Sequence, residues 1–193
     1  MAQFKALNAN VEVNGQTVLS IVAGMETFRE IALEMLAARG ISDPAVNKWY
    51  SQQCWLDAFR DIAENVGEYT LMEIGRKIPE NADWPPFVNS IETALGSIDI
   101  AYHMNHRVDG NIMFNPDNGT MIDGIGHYSF SMEGERRGKM LCDNPYPSDF
   151  DRGIIEAAAK RFKSKGDRVS VVLDQSGGSR KSGGDVCRYI ITW

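Results

Sequence analysis

No apolar run in the chain approaches the ~20 residues that a membrane-spanning helix needs, so no membrane partner is expected. Cysteine is scarce. Cys54, Cys142 and Cys187 are odd in number and far apart, which excludes a disulfide framework and reads as a reducing, cytoplasmic setting. Positive charge is also short: 20 Lys and Arg face 26 Asp and Glu, for a net charge of −6. That balance argues against nucleic acid or an anionic surface as a partner. The opening stretch "MAQFKALNAN" has neither the apolar segment nor the cleavage site of a signal peptide. A G-x-G-x-x-G turn and a G-x-S-x-G elbow are both missing. "DQSGGSRKSGGDVC" lacks the order of a phosphate loop and precedes a strand pattern, so it reads as a mobile hairpin connection. No catalytic residue is assigned, and a non-enzymatic protein is expected.

What is present suits one globular domain. The 193 residues are 43% hydrophobic and 24% charged, enough for a real core. "VEVNGQTVLSIV" alternates around Asn14-Gly15 and predicts a hairpin. "METFREIALEMLAARG" has helical spacing and stops at Gly40. "SDPAVNKWYSQQCWLDAFRDIAENVG" predicts a helix starting near Ser42-Asp43-Pro44, with Trp49, Cys54 or Trp55, Phe59, Ile62 and Val66 as its buried stripe. A shorter helix ends near Pro79. Another starts after Pro85-Pro86, with Phe87, Ile91, Leu95, Ile98 and Tyr102 on one face. Beyond Arg107 the patterns are strands, interrupted by a helix over "SDFDRGIIEAAAKRF" capped by Ser148 or Asp149. The expected fold is α+β: an N-terminal hairpin and helical layer, about 1–107, packed on a C-terminal antiparallel sheet, about 108–193.

Three groups of residues can carry chemistry. On a helix, Asp99, His103 and His106 fall on one side, where two imidazoles and a carboxylate suit a metal and one imidazole suits a heme iron. The alternative is a polar helix end favoured by the dipole. Cys142 and Cys187 are half of a zinc site, or simply small buried residues. Trp49, Tyr50, Trp55 and Phe59 are either core or the wall of an apolar cavity, with His106 or Gln52 orienting a ligand.

Several stretches in order, "VEVNGQTVLSIV", "KWYSQQCWLDAFRDIAENVG", "IGRKIPE", "AYHMNHR", "CDNPYPSDFDRGII" and "GGDVCRYIITW", resemble bacterial proteins of the 4-vinyl-reductase type. The superfamily includes heme-NO/oxygen-binding (H-NOX) domains and the sensing domains of phenol-responsive regulators. The resemblance implies helices over an antiparallel sheet with a ligand cavity between the layers, often in a homodimer. Heme-binding members carry Tyr-x-Ser-x-Arg before a helix. Tyr146 and Ser148 match its first two positions, Phe150 stands at the arginine, and Arg152 follows two residues later. His103 or His106 matches the iron-binding histidine. Cys187, with Cys142, matches zinc-binding cysteines of the phenol-sensing relatives, although Ser179 stands where another would be. Heme and zinc are therefore the cofactors in question, with Phe150 counting against one and Ser179 against the other.

The resulting expectation is a small-molecule-binding sensory protein without catalysis of its own. An apolar or aromatic ligand would contact Trp49, Trp55, Phe59, Tyr102, His103, His106 and Tyr146, and the signal would pass to a second copy or a signalling partner. The alternative is a heme- or tetrapyrrole-binding protein or enzyme using His103 or His106 with Cys142.

Overall fold

The computed structural model describes residues 3–193; the first two residues of the N-terminal stretch lie outside it. In chain order it contains β1 (Val11–Asn14), α1 (Gly15–Val18), α2 (Ser20–Gly24), a 3-10 turn, α3 (Arg29–Ala38), β2 (Trp49–Ser51), α4 (Gln52–Asn65), α5 (Glu68–Glu80) and α6 (Ile91–Met104). The second half holds β3 (His106–Val108), β4 (Asn111–Ile112), β5 (Phe114–Asn115), β6 (Thr120–Met121), β7 (Tyr128–Gly134) and β8 (Arg137–Cys142). After these come α7 (Ser148–Arg161), β9 (Ser170–Asp174), a 3-10 turn at Arg180–Ser182 and β10 (Cys187–Thr192). Two four-stranded sheets, ordered β2-β1-β3-β4 and β7-β8-β10-β9, accompany a two-stranded β5-β6 pair. The architecture is α+β, as expected, and its core cluster draws residues from Val11 to Ile191, across both halves. Among the described residues, no helix is long and apolar enough to cross a membrane.

The C-terminal sheet follows the period of two that a half-buried strand imposes. Gly138, Met140 and Cys142 of β8 lie directly opposite Ile191, Tyr189 and Cys187 of β10, and all six face inward. Helix α7 packs over this face. Its crossing with α5 is made by two glycines. A Cβ on Gly75 would meet the Phe150 carbonyl oxygen at 2.2 Å, and one on Gly153 would meet that of Met72 at 2.2 Å. No side chain fits at either position, so the two helix backbones touch.

The helix ends follow from local chemistry. After α3, Gly40 adopts φ +83, and its N–H and that of Ile41 donate to the carbonyls of Ala37 and Leu36. This is the paired bonding that lets a glycine close a helix. Ser90 and Thr93 form a capping box at the start of α6.

Four local expectations are corrected. Asn14-Gly15 does not turn a hairpin: the Asn14 side chain accepts the Thr17 N–H at 2.8 Å and starts α1, while β1 pairs with β2 and β3. Gly15 is needed because a Cβ there would lie 1.8 Å from the Ala45 carbonyl oxygen. The helix predicted from Ser42 starts at Gln52, because Trp49–Ser51 is a strand paired with β1. Helix α6 starts at Ile91, which leaves Phe87 outside it and exposed. The N-cap of α7 is Pro147 rather than Ser148 or Asp149; Ser148 hydrogen-bonds elsewhere, and Asp149 lies 2.6 Å from Lys181 Nζ.

Candidate functional site

Helices α4, α6 and α7 meet around a cluster of rings. Trp55 and Phe59 are one helical turn apart, so both face inward. Their ring centroids lie 4.7 Å apart, with Phe150 of α7 at 5.7 Å from Trp55 and 4.8 Å from Phe59. Tyr146 closes the group at 5.2 Å from Trp55 and 5.3 Å from Phe150. These are ordinary contact distances for edge and tilted ring pairs, so the side chains fill the space between the layers. The expected inter-layer cavity is, in this conformation, a packed aromatic box.

A buried polar relay crosses the box. Gln52 Nε2 donates to the Tyr146 hydroxyl at 3.0 Å, and that hydroxyl lies 2.6 Å from His106 Nε2. His106 Nδ1 is 2.7 Å from the Tyr102 carbonyl oxygen. A carbonyl only accepts, so Nδ1 carries the proton, Nε2 accepts, and Tyr146 donates. Burial drives the His106 pKa down to about 4, outweighing the carbonyl bond that would raise it. Burial likewise pushes the Tyr146 phenol far above its ordinary range. Relay and rings are thus uncharged at neutral pH. Two buried polar atoms in the same neighbourhood have no partner: the acceptor Gln52 Oε1 and the donor Trp55 Nε1.

Tyr146 is held by its own turn and by a buried arginine. Its N–H donates to Asn144 Oδ1 at 2.9 Å, an Asx turn. Arg180 Nη1 donates to the carbonyls of Cys142 at 2.8 Å and Asn144 at 2.6 Å. Arg180 Nη2 pairs with Asp151 Oδ2, both side chains fully buried, while Asp151 Oδ1 accepts from the Tyr128 hydroxyl at 2.6 Å. Burial raises the Asp151 pKa against the pull of Arg180. The Gly- and Ser-rich stretch expected to be a mobile connection is therefore a latch. Its arginine was hidden by the composition around it.

The remaining candidates separate. Tyr102 belongs to the cluster: its ring lies 4.5 Å from His106 and 5.9 Å from Tyr146, and its hydroxyl donates to the Ile125 carbonyl at 2.7 Å. Trp49 does not join the box; it sits in β2 with the Arg107 guanidinium 4.7 Å from its ring, a cation–π contact. His103 and His106 part company, because α6 ends before His106, which opens β3 opposite Val13. His103 instead meets His127, with ring centroids 5.0 Å apart. Asp99 joins them: its Oδ2 lies 3.1 Å from His127 Nδ1. Burial opposes the charged His127 ring, but the Asp99 hydrogen bond and charge raise its pKa overall. Cys142 and Cys187 are opposite one another and fully buried. Among the described residues no third His, Cys, Asp or Glu completes a metal cluster with them. Ser148 turns its hydroxyl to Cys187 Sγ at 3.0 Å.

Heme does not fit this arrangement. His106 has both nitrogens engaged; His103, buried against Tyr102, keeps a free Nε2, but a flat macrocycle would have to occupy the volume that Trp55, Phe59, Tyr146 and Phe150 fill. Phe150, at the arginine position, is part of that filling.

No protein-family model matches the chain, and no curated protein matches it in sequence. Solved structures do match in fold. An H-NOX mutant from T. tengcongensis superposes with a TM-score of 0.63 at 17% identity, covering 93% of this chain and 96% of that one. An oxygen-binding H-NOX domain related to soluble guanylate cyclases, in its oxygen complex, gives 0.62 at 16%, covering 93% and 94%. An Fe(II) unliganded H-NOX mutant from K. algicida gives 0.60 at 13%, covering 93% and 95%. The chain has an H-NOX-like fold.

Proposed function

We propose that the protein is a heme-independent sensory domain that binds a small, neutral, aromatic molecule in the box between α4, α6 and α7. The observation that carries this reading is the pair of orphaned polar atoms, Gln52 Oε1 and Trp55 Nε1, in a ring cluster crossed by the Gln52–Tyr146–His106 relay. Buried polar groups are nearly always hydrogen-bonded, and an unpaired one costs about 1–3 kcal/mol. A ligand bearing both a donor and an acceptor would satisfy both. Aromatic walls favour an aromatic ligand, and an uncharged relay favours a neutral one.

Because the rings are in contact, the ligand selects a conformer in which one ring, Phe150 or Tyr146, has swung aside. Such a step moves α7 against α5 and strains the Arg180 latch on the same turn. The signal then leaves through a second copy or a partner chain. The role is binding rather than catalysis.

Calorimetric titration with phenol tests the reading. Saturable binding with one molecule per chain, weakened about ten-fold or more in Tyr146→Phe, supports it. No saturable binding of phenol, or binding unchanged in that variant, removes it.

A further inference from the structure

A second cluster adjoins the rings through Tyr102, 5.2 Å from the His103 ring, where the end of α6 meets the turn into β7. Asp99 and His103 are one helical turn apart on α6 and face the same side. His127 is brought to them by a turn in which Gly126 presses on the chain after β8: a Cβ there would sit 2.6 Å from the Asp143 carbonyl oxygen. One ligand atom from each of Asp99, His103 and His127 lies within 4.8 Å of the other two. Asp99 Oδ2 is 3.1 Å from His127 Nδ1. Ligands about 2.0–2.1 Å from a tetrahedral ion stand roughly 3.3 Å apart. The Asp99–His127 pair already stands near that spacing, and a rotation of the His103 ring is needed to bring its Nε2 to the ion.

The neighbours are those that metal ligands use. His103 Nδ1 donates to the Asp99 carbonyl at 2.8 Å. That fixes the tautomer and leaves Nε2 with its lone pair, buried and without a partner. Asp99 Oδ1 accepts the Tyr128 N–H at 2.9 Å, which holds the carboxylate. Asp123 stands 3.5 Å from His127 Nε2, placed to accept a hydrogen bond from Nε2–H once Nδ1 binds an ion. A carbonyl or carboxylate behind each imidazole is the usual support of a metal-binding histidine. His103 is buried, but the side chains of Asp99 and His127 are 22% and 34% exposed, so an ion can enter and a water can take the fourth position.

We propose that Asp99, His103 and His127 bind one divalent ion of the zinc type. Two imidazoles and one carboxylate suit Zn²⁺ or Co²⁺ over Ca²⁺ or Mg²⁺. The ion replaces the proton shared by His127 Nδ1 and Asp99, and it ties α6 to the first strand of the C-terminal sheet. The proposal does not rest on ligand binding in the aromatic box.

The test uses the full chain stripped with a chelator, titrated with Zn²⁺ by calorimetry and with Co²⁺ by visible absorption. The expected result is one ion per chain, with visible d–d bands and no thiolate charge-transfer band. His127→Ala and Asp99→Asn should each weaken binding about ten-fold or more, with circular dichroism unchanged. Binding below one ion per chain, binding unaffected by His127→Ala, or a thiolate charge-transfer band would overturn the proposal.

Discussion

The Tyr146 hydroxyl and His106 Nε2 lie 2.6 Å apart although their residues are forty positions apart in the chain. In that bond α6's exit, the α7-leading turn and, through Gln52, the start of α4 all meet.

His106 makes the fold sensitive to acid. Its folded pKa of about 4 lies below the ordinary 6.5, so the unfolded chain binds the extra proton first. Its contribution is intact above about 6.5 and is lost as pH falls from there to about 4, a total of about 3 kcal/mol. His127, with its raised pKa, works in the opposite sense, losing stability as pH rises through its folded value. The comparison is therefore between wild type and His106→Gln. Urea unfolding from pH 7 to 4.5 should show a shallower decline in the variant. Equal slopes would mean that His106 is not buried neutral.

The Arg180 latch should be worth more than any surface ion pair. Arg180→Met leaves Asp151 buried without its cation, and removes the donor to the Cys142 and Asn144 carbonyls. A loss of about 3–5 kcal/mol is expected. Adding Asp151→Asn should cost less than the sum of the two single changes, because each single change already breaks the same pair. Denaturant midpoints for the four proteins of the cycle give the answer. Simple additivity would contradict the pairing.

At the α5–α7 crossing, Gly153→Ala should destabilise by about 1–3 kcal/mol or more, since backbone rather than a flexible side chain blocks the added methyl. Gly96, whose Cβ position has nothing within 4 Å, is the control. Gly96→Ala inside α6 should be neutral or stabilising. Thermal melts of both variants check the contrast, and similar behaviour would mean the helices do not touch.

Helical spacing points to Trp55 with Phe59 and to Tyr102, the resemblance points to Tyr146 and His106, and the structure brings these five together. Trp49 was drawn in because its spacing continues the α4 stripe; only pairing with β1 shows it to be a strand residue. Asn14-Gly15 carries a turn signal that is equally a helix cap beside a tight backbone contact. Arg180 lies in a stretch whose glycine and serine read as a mobile connection, and its partner Asp151 is twenty-nine positions away. His127 had no local pattern at all. Its link to Asp99 and His103 exists only once β7 is laid against α6.

The most direct measurement is native mass spectrometry of the intact chain offered hemin and phenol in parallel. The account predicts a one-to-one phenol adduct that diminishes in Tyr146→Phe, and no stoichiometric heme adduct. A one-to-one heme adduct that disappears in His106→Ala would contradict it, since the rings between the layers would then have yielded to the macrocycle.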